Sequence, residues 1–222
     1  MILGIDCSTR WTNIGVAIEG RIAGEFNMFI GRRQSSELPS LVENILSGAG
    51  LTLESVDAVA VTSGPGYFTG IRVGLSYACA IAEGIGKKVV LVDSLLALAA
   101  PFLNGTRLVF PVIRARRGYV YSSALSGCLS NAVPAAAPRF LPVGELTCGG
   151  KDDALSLLIV DDDEELMKEI AVLKAPNIAK SSIRGGYVAL LGDAMFDKAV
   201  FPTAAIGNYL REPDIGKRKY TE

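Results

Sequence analysis

Asp6 closes a short apolar run, Ile2-Leu3-Gly4-Ile5, and is followed by Cys7-Ser8-Thr9. A carboxylate at the carboxyl end of a strand is where α/β folds place phosphate or metal chemistry. A turn that cradles phosphates uses glycine so that backbone N–H groups can come close. Cys7 to Trp11 contains no glycine, and Trp11 is bulky. The preferred reading is that Asp6 hydrogen-bonds its own turn, and catalysis by Asp6 is the alternative. The glycine-rich stretch Ser63-Gly64-Pro65-Gly66-Tyr67-Phe68-Thr69-Gly70 also invites a nucleotide reading. The spacing argues against it, because a dinucleotide fingerprint needs glycine where Thr69 stands, and a P-loop needs Lys-Ser/Thr where Ile71-Arg72 stands. A tight strand-to-helix turn whose glycines allow close packing is preferred, although a helix start beside Arg72 could hold an anion. The run Asp161-Asp162-Asp163-Glu164-Glu165 reads as the first turn of a helix, where carboxylates favour the dipole, rather than as a metal site. Arg114-Ala115-Arg116-Arg117-Gly118 and Lys217-Arg218-Lys219 read as solvated basic surface, with RNA phosphate contact as a minor role.

The chain has 222 residues and no histidine. That removes the Ser-His-Asp triad, the Cys-His dyad, the imidazole base and the histidine metal ligand. The four cysteines, Cys7, Cys79, Cys128 and Cys148, include no C-x-x-C pair. Buried free thiols in a reducing cytoplasm are therefore expected, with neither a zinc site nor a disulfide framework. Hydrophobic residues make up 50% and charged residues 20%, so there is ample material for a core and some to spare for a partner. The formal net charge of −1 lacks the basic excess of a protein that binds nucleic acid alone. No segment reads as a targeting signal, and the uncharged stretch from Gly118 to Pro138 is too broken by Ser, Asn and Pro for a membrane helix.

The elements that must position these residues follow from periodicity. Ile2–Ile5 is a strand, and the alternations Ile14/Val16/Ile18 and Ile22/Gly24/Phe26/Met28/Ile30 form a hairpin. Leu38, Leu41, Val42, Ile45, Leu46 and Ala49 mark one helical face, with Pro39 in its first turn and Gly48 and Gly50 as its stop. Ala58–Val61 is a buried strand, a helix runs from about Ile71 to Glu83, Val89–Val92 is another strand, and Ser94 caps a helix through Ala100. The order β-β-β-α-β-α-β-α with an early strand-end Asp points to an α/β, actin-like (ASKHA, ribonuclease-H-like) fold. Residues 1–100 form the first subdomain. Pro101–Arg107 reads as a linker, and residues 101–222 form a smaller, less regular second subdomain. There Leu108–Ile113, Tyr119–Leu125 and Leu157–Val160 are strands, Asn131–Pro138 is loop, and Ser182–Phe196 is helix.

With these segments in place, the chain resembles the TsaB (YeaZ) family. The likeness rests on Ile5-Asp6-Cys7-Ser8-Thr9, on Ala58-Val59-Ala60-Val61 leading into Ser63-Gly64-Pro65-Gly66-Tyr67-Phe68-Thr69-Gly70-Ile71-Arg72-Val73-Gly74, on Val92-Asp93-Ser94-Leu95, on Arg116-Arg117-Gly118 with Val120-Tyr121, and on Tyr209-Leu210-Arg211. The resemblance implies two actin-like subdomains, a cytoplasmic protein with no activity and no cofactor when isolated, and a role in tRNA threonylcarbamoyladenosine synthesis. It implies a heterodimer with the catalytic paralogue TsaD, help from the ATPase TsaE, a homodimer when alone, tRNA contact only through the complex, and no membrane. The paralogue holds metal through a His-x-x-x-His pair, which a chain without histidine cannot form. Three positions depart from the family pattern. Ser35-Ser36 stands where His-Ser is frequent, Arg114-Ala115-Arg116 where Asp-Ala-Arg is common, and Tyr119 where an acid is frequent.

The first two helices are expected to form the partner face. Gly70, Gly74, Ala78 and Ala82 recur every four residues as a stripe that would admit another backbone, while Ile71, Val73, Leu75, Tyr77 and Ile81 leave the helix apolar nearly all round. Leu38, Leu41, Val42 and Ile45 of the first helix join Gly70, Arg72, Gly74, Tyr77, Ala78 and Ile81 in the expected face, which would bury ~800 Å² per side. Two other readings stay open from the residues. One is an ATP-using small-molecule kinase of the type III pantothenate kinase kind, for which Cys7-Ser8-Thr9-Arg10 is a poor phosphate turn. The other is a ribonuclease-H-like nuclease, for which Asp6 lacks evident companion carboxylates.

Overall fold

In a computed structural model, residues 1–146, 156–171, 173 and 177–210 are described. The short apolar run at the start is strand β1 (Ile2–Asp6), and every one of its residues is buried. It lies at the centre of a sheet because both of its edges are taken. It runs antiparallel to β2 (Thr12–Ile18), with Ile2 opposite Ala17 and Asp6 opposite Asn13, and parallel to β4 (Ala58–Gly64), with Ile2 opposite Ala58. Strands β3 (Arg21–Met28) and β5 (Lys88–Asp93) complete the order β3-β2-β1-β4-β5. The pattern repeats in a second sheet. There β6 (Leu108–Arg116) is central, β7 (Tyr119–Ser126) and β8 (Val133–Pro142) form the antiparallel arm, and β9 (Ser156–Asp161) and β10 (Ile178–Ser181) the parallel arm. This twofold use of one mixed sheet is the actin-like, ribonuclease-H-like architecture.

Side chains alternate across each strand, so each sheet has two faces to cover. Leu3, Ile5, Ile14, Val16, Val59 and Val61 pack under α1 (Gln34–Gly48) and α2 (Phe68–Gly84). Ile2, Ala17, Ala58, Ala60, Val90 and Val92 face the other way, into a core shared with α3 (Ser94–Ala99), α5 (Gly185–Ala194) and Val109, Ile113 and Ile159 of the second sheet. Val112, Val120, Leu158 and Val160 meet Leu166 and Ile170 of α4 (Glu164–Ile170) in a third cluster.

The first sheet ends at Asp93 and the second begins at Leu108, but the layers that cover them are shared. Helix α5 comes late in the chain and lies against β1, β2, β3 and β4 of the first sheet. Glycine makes this possible. A Cβ on Gly15 would overlap the Gly185 backbone, one on Gly185 would overlap that of Ile14, and one on Gly4 would overlap the backbone of Ala189 and Gly185. Arg184, just before the helix, gives no side-chain cap. Strand β3 supplies it instead. Asn27 Oδ1 accepts from Gly185 N at 3.0 Å and Glu25 Oε2 accepts from Gly186 N at 3.0 Å, while Arg184 pairs with Glu25. These contacts satisfy backbone donors that a helix start leaves open.

Several elements differ from the sequence reading. Asn131–Pro138 is not simply loop, because Val133 onward belongs to β8, paired antiparallel with β7. Its prolines are tolerated because β8 is an edge strand, where missing N–H donors cost no ladder bond on the open side. Strand β10 escaped notice because it is short and lacks an apolar run. Helix α1 begins at Gln34, so Pro39 lies beyond the first turn, inside the helix. The cap of α3 is Asp93, whose carboxylate accepts from Leu96 N at 3.0 Å, and Ser94 is the first helical residue. Pro101–Arg107 is pinned rather than free. Gly105 N donates to Gly127 O at 2.9 Å, and Asn104 bridges to Cys128. Cys7 is buried, Cys79 half-buried and Cys128 exposed, all as free thiols, and Cys148 lies outside the described residues. Among the described residues, no helix is long and apolar enough to cross a membrane.

The seat of α5 gives a direct stability test. Gly185→Ala forces backbone apart and is expected to cost about 3 kcal/mol or more. Gly48→Ala, at a helical position where an added Cβ meets open space, is expected to gain up to about 1 kcal/mol. Urea unfolding of the two variants reads both, and equal midpoints would contradict the account.

Candidate functional site

The two sheets meet at their strand ends, and their polar residues gather there. Asp6 ends β1 and is fully buried. Its carboxylate accepts from Ser8 N (2.9 Å), Ser8 Oγ (2.6 Å), Asn13 Nδ2 (2.7 Å) and Thr62 Oγ1 (2.7 Å). The turn, β2 and β4 thus supply the donors, as the preferred reading expects. Asp161 ends β9 in the second sheet and is also buried. Burial, then the charges of Asp6, Asp163 and Asp162, push its carboxyl well above the usual carboxylate range. Among the described residues, its Oδ1 has no hydrogen-bond partner. Asp6 therefore has a companion after all, but one that favours its neutral form. Among the described residues, no group of three or more acid or cysteine side chains is arranged to hold a metal ion. Cys7 lies next to Asp6, and burial, followed by the Asp6 charge, pushes its thiol far up, so it is a poor nucleophile.

The glycine-rich loop after β4 lies directly on the first turn. Tyr67 N donates to Ser8 O at 2.7 Å. A Cβ on Gly66 would overlap Ser8 O, and one on Gly70 would overlap Cys7 O. The glycines serve close packing, as preferred from the sequence. Their backbone approach is spent on β1 and its turn.

Asp163 occupies the space between the two sheets. It caps α4, with Oδ1 accepting from Glu165 N and Leu166 N, each at 3.0 Å. Arg114 Nη1 also reaches Oδ1, at 3.3 Å. On the other oxygen, Oδ2, Tyr67 Oη donates at 2.9 Å and Arg10 Nε lies at 3.4 Å. Burial works against this charge. The hydrogen bonds from Leu166 and Tyr67 and the charges of Arg10 and Arg114 outweigh it and hold the carboxyl below its usual range. Tyr67 is pushed up to about 12 by burial and by Asp163, so it remains a donor. Arg114 is thus not solvated surface, because β6 continues through it to Arg116 and only Arg117-Gly118 turns the chain. It is buried and also pairs with Glu165. Arg116 lies 4.3 Å over the ring of Tyr119, which stacks on Phe140 at 5.0 Å.

Around this network is a cleft of about 950 Å³ lined by Arg10, Phe29, Gln34, Tyr67, Arg114 and Arg117 among others. A phosphate chain that used Arg10 and Arg114 together would have to displace Asp163 from them. The turn has no glycine to offer in return. Arg10 and Arg114 thus offer a nucleotide no ready pair of cations there.

The expected partner face divides in two. Leu38, Val42, Ile45, Gly70, Gly74 and Ala78 are buried within the chain. The stripe of small residues faces its own sheet, with Gly70 on the Cys7 carbonyl and Gly74 against the Cys7 side chain. It does not present itself to another molecule, and its purpose is close packing of α2 on β1. Leu41, Tyr77 and Ile81 are half-exposed and Arg72 is exposed. Between the helices a groove of about 530 Å³ is lined by Leu38, Thr69, Arg72, Val73, Ser76 and Tyr77. The sequence reading missed the return of the chain's last described residues. Asn208 N donates to Ser63 O at 2.6 Å and Tyr209 packs on Phe68 at 4.9 Å, so the Tyr209-Leu210 pair meets the glycine-rich loop. Arg211 and Lys217-Arg218-Lys219 lie outside the described residues.

Comparison with known proteins follows from this geometry. The family model described as TsaD, tRNA N6-adenosine threonylcarbamoyltransferase, matches residues 29–205. The chain belongs to the TsaD family. Within that wide family, it is similar to proteins named TsaB. It is 29% identical over 136 residues to the tRNA threonylcarbamoyladenosine biosynthesis protein TsaB of Bacillus subtilis, covering 60% of this chain and 59% of that one. It is 32% identical over 122 residues to the Escherichia coli TsaB, covering 54% and 52%. The matched part thus spans little more than half of these curated relatives. A solved Pseudomonas aeruginosa structure, described as an uncharacterized protein with similarity to peptidase YEAZ, aligns over 95% of this chain and 99% of that one. The TM-score is 0.81 and the identity 25%. The TsaB/YeaZ likeness read from the sequence is thus supported in sequence and in fold.

The raised carboxyl of Asp161 predicts a pH dependence. A carboxyl whose folded pKa exceeds its unfolded value of ~3.9 binds its proton more tightly when folded. Its contribution is present at low pH and is lost as pH climbs through the folded value. Asp93, pushed up to about 6 by burial, has the same sign. Asp163, held low, contributes the opposite sign only as pH falls through its depressed value. Asp161→Asn keeps the shape of the neutral acid, so the fall in stability between about pH 4 and pH 8 is expected to be smaller in the variant. Urea midpoints across that range check it, and identical slopes would contradict it.

Proposed function

We propose that the chain is a non-catalytic, TsaB-type subunit for tRNA threonylcarbamoyladenosine synthesis at the adenosine beside the anticodon. It acts by binding and activating a TsaD-type transferase, together with the ATPase TsaE. Alone it forms a homodimer, and it meets tRNA only within the complex. The observation that carries this reading is the occupation of its cleft. The cations that would face a phosphate chain are already held by Asp163, from within the same chain. The similarity to proteins named TsaB supplies the pathway. The absence of histidine from the sequence supports the division of labour, since the paralogue's metal pair has no counterpart here.

The partner face in this reading is the exposed rim of the α1–α2 groove. Arg72, Val73 and Tyr77 line it, Leu41 and Ile81 are half-exposed on the same helices, and Leu38, Val42, Ile45, Gly70, Gly74 and Ala78 are buried beneath. An apolar groove edged by a single arginine suits a helix pair of the same kind.

Tyr77→Arg and Arg72→Glu, both outside the sealed core, are expected to leave the chain folded and to weaken capture of a TsaD-type transferase by about tenfold or more. The chain by itself is expected to release no ADP from ATP above a blank. Undiminished capture by both folded variants would remove this face from the account. ATP turnover by the isolated chain would restore the kinase reading.

A further inference from the structure

The two oxygens of Asp163 serve different halves of the molecule. Among the described residues, Oδ1 takes only donors of the second half, namely Glu165 N, Leu166 N and Arg114. Among the described residues, Oδ2 takes only partners of the first half, the Tyr67 hydroxyl as a donor and Arg10 as an ion pair. The side chain is 1% exposed. Its loss would leave Arg114, 11% exposed, with Glu165, and would take from the half-buried Tyr67 hydroxyl the carboxylate it donates to, leaving it beside Arg10. Tyr67 is the residue that starts α2. Its N–H is fixed to Ser8 O of the β1–β2 turn, and its own carbonyl accepts from Ile71 N in the first turn of the helix. Its hydroxyl is the contact that ties that start to the second sheet.

We propose that Asp163 is a built-in anion that latches the two subdomains together, one oxygen to each, and thereby fixes the start of α2. Its carboxylate stands where a bound anion would otherwise bridge Arg10 and Arg114. A plain helix cap needs only the two backbone donors on Oδ1. The three side chains converging on it from β6, the β1–β2 turn and the α2 start are what a bridging ligand would require. The two halves are therefore bridged here without a ligand, and Arg10 and Arg114 are already paired to one carboxylate in the wild-type chain. The latch also links the cleft to α2, so a change at Asp163 should be felt at the start of that helix. This inference does not depend on the identity of any partner.

The test is amide hydrogen exchange of the full chain, read at Phe68–Ile71 of α2 and at Leu166 of α4. Asp163→Asn keeps a capping side chain and removes the charge, and Tyr67→Phe removes only the hydroxyl. Both are expected to speed exchange at Phe68–Ile71 by about tenfold or more. Asp163→Gly leaves room for an external anion, and millimolar inorganic phosphate is expected to restore its protection there while leaving the wild type unchanged. The proposal is overturned if folded Asp163→Asn and Tyr67→Phe keep wild-type exchange at Phe68–Ile71. It is equally overturned if only Leu166 loosens, or if phosphate slows exchange in the wild type as much as in Asp163→Gly. If Asp163→Gly does not fold, the other two variants decide.

Discussion

Helix α5 rests its backbone on the backbone of β1 and β2, and the rest of the molecule is arranged around that contact. Gly4, Gly15 and Gly185 leave no room for a side chain between the two. The late part of the sequence is thereby bound into the first sheet, and Val188, Ala189 and Leu191 join a core to which both sheets contribute. Protein interiors tolerate little added volume. A gap forced open here would separate the strand ends that place Asp6 opposite Asp161 and Asp163 within reach of Tyr67 and Arg10.

The polar seam built on this contact sorts three buried carboxyls by the donors each receives. Asp6 has four hydrogen bonds from the turn and two strands. Asp163 has two backbone N–H groups, a phenol and two guanidinium groups. Asp161 keeps, among the described residues, an oxygen without a partner and lies near three other acids, Asp6, Asp162 and Asp163. Burial disfavours the charged form of Asp161 and Asp163 alike, and only sufficient donors reverse that. Hence Asp163 is held low while Asp161 is driven high, although both flank one short turn. A catalytic or metal-binding cleft of this architecture needs charges that face outward to a ligand. Here Asp163 faces Arg10 and Arg114.

What the sequence revealed was mostly local. The hairpin, α2 and its glycine-rich approach, the central strands and the acidic start of α4 all follow from period, glycine spacing and helix-start chemistry, and they place Asp6 and Asp163 in roughly the right settings. What it hid was long-range. Alanine-rich and proline-rich β8 looks like loop because its strand character comes from pairing with β7 at an open edge. Arg114 reads as surface because its partners lie 49 and 51 residues away. The small-residue stripe of α2 is consistent with either a partner or a sheet, and only the position of the Cys7 backbone decides for the sheet. A glycine pair such as Gly185-Gly186 weakens a helix by propensity, yet it is the pair that lets α5 dock. The capping of that helix by Asn27 and Glu25 has no signal in the adjacent residues at all.

The central claim is that this chain serves threonylcarbamoyladenosine synthesis through a partner rather than through chemistry of its own. The most direct measurement is the threonylcarbamoyladenosine content of tRNA, by mass spectrometry of nucleosides, in the native host with the gene depleted and then restored. The account predicts that the modification falls on depletion and returns both with the wild-type chain and with Asp6→Asn, which alters the acid a catalytic reading would depend on. Full modification in depleted cells would contradict the account, as would loss of modification with a folded Asp6→Asn chain that still captures the transferase.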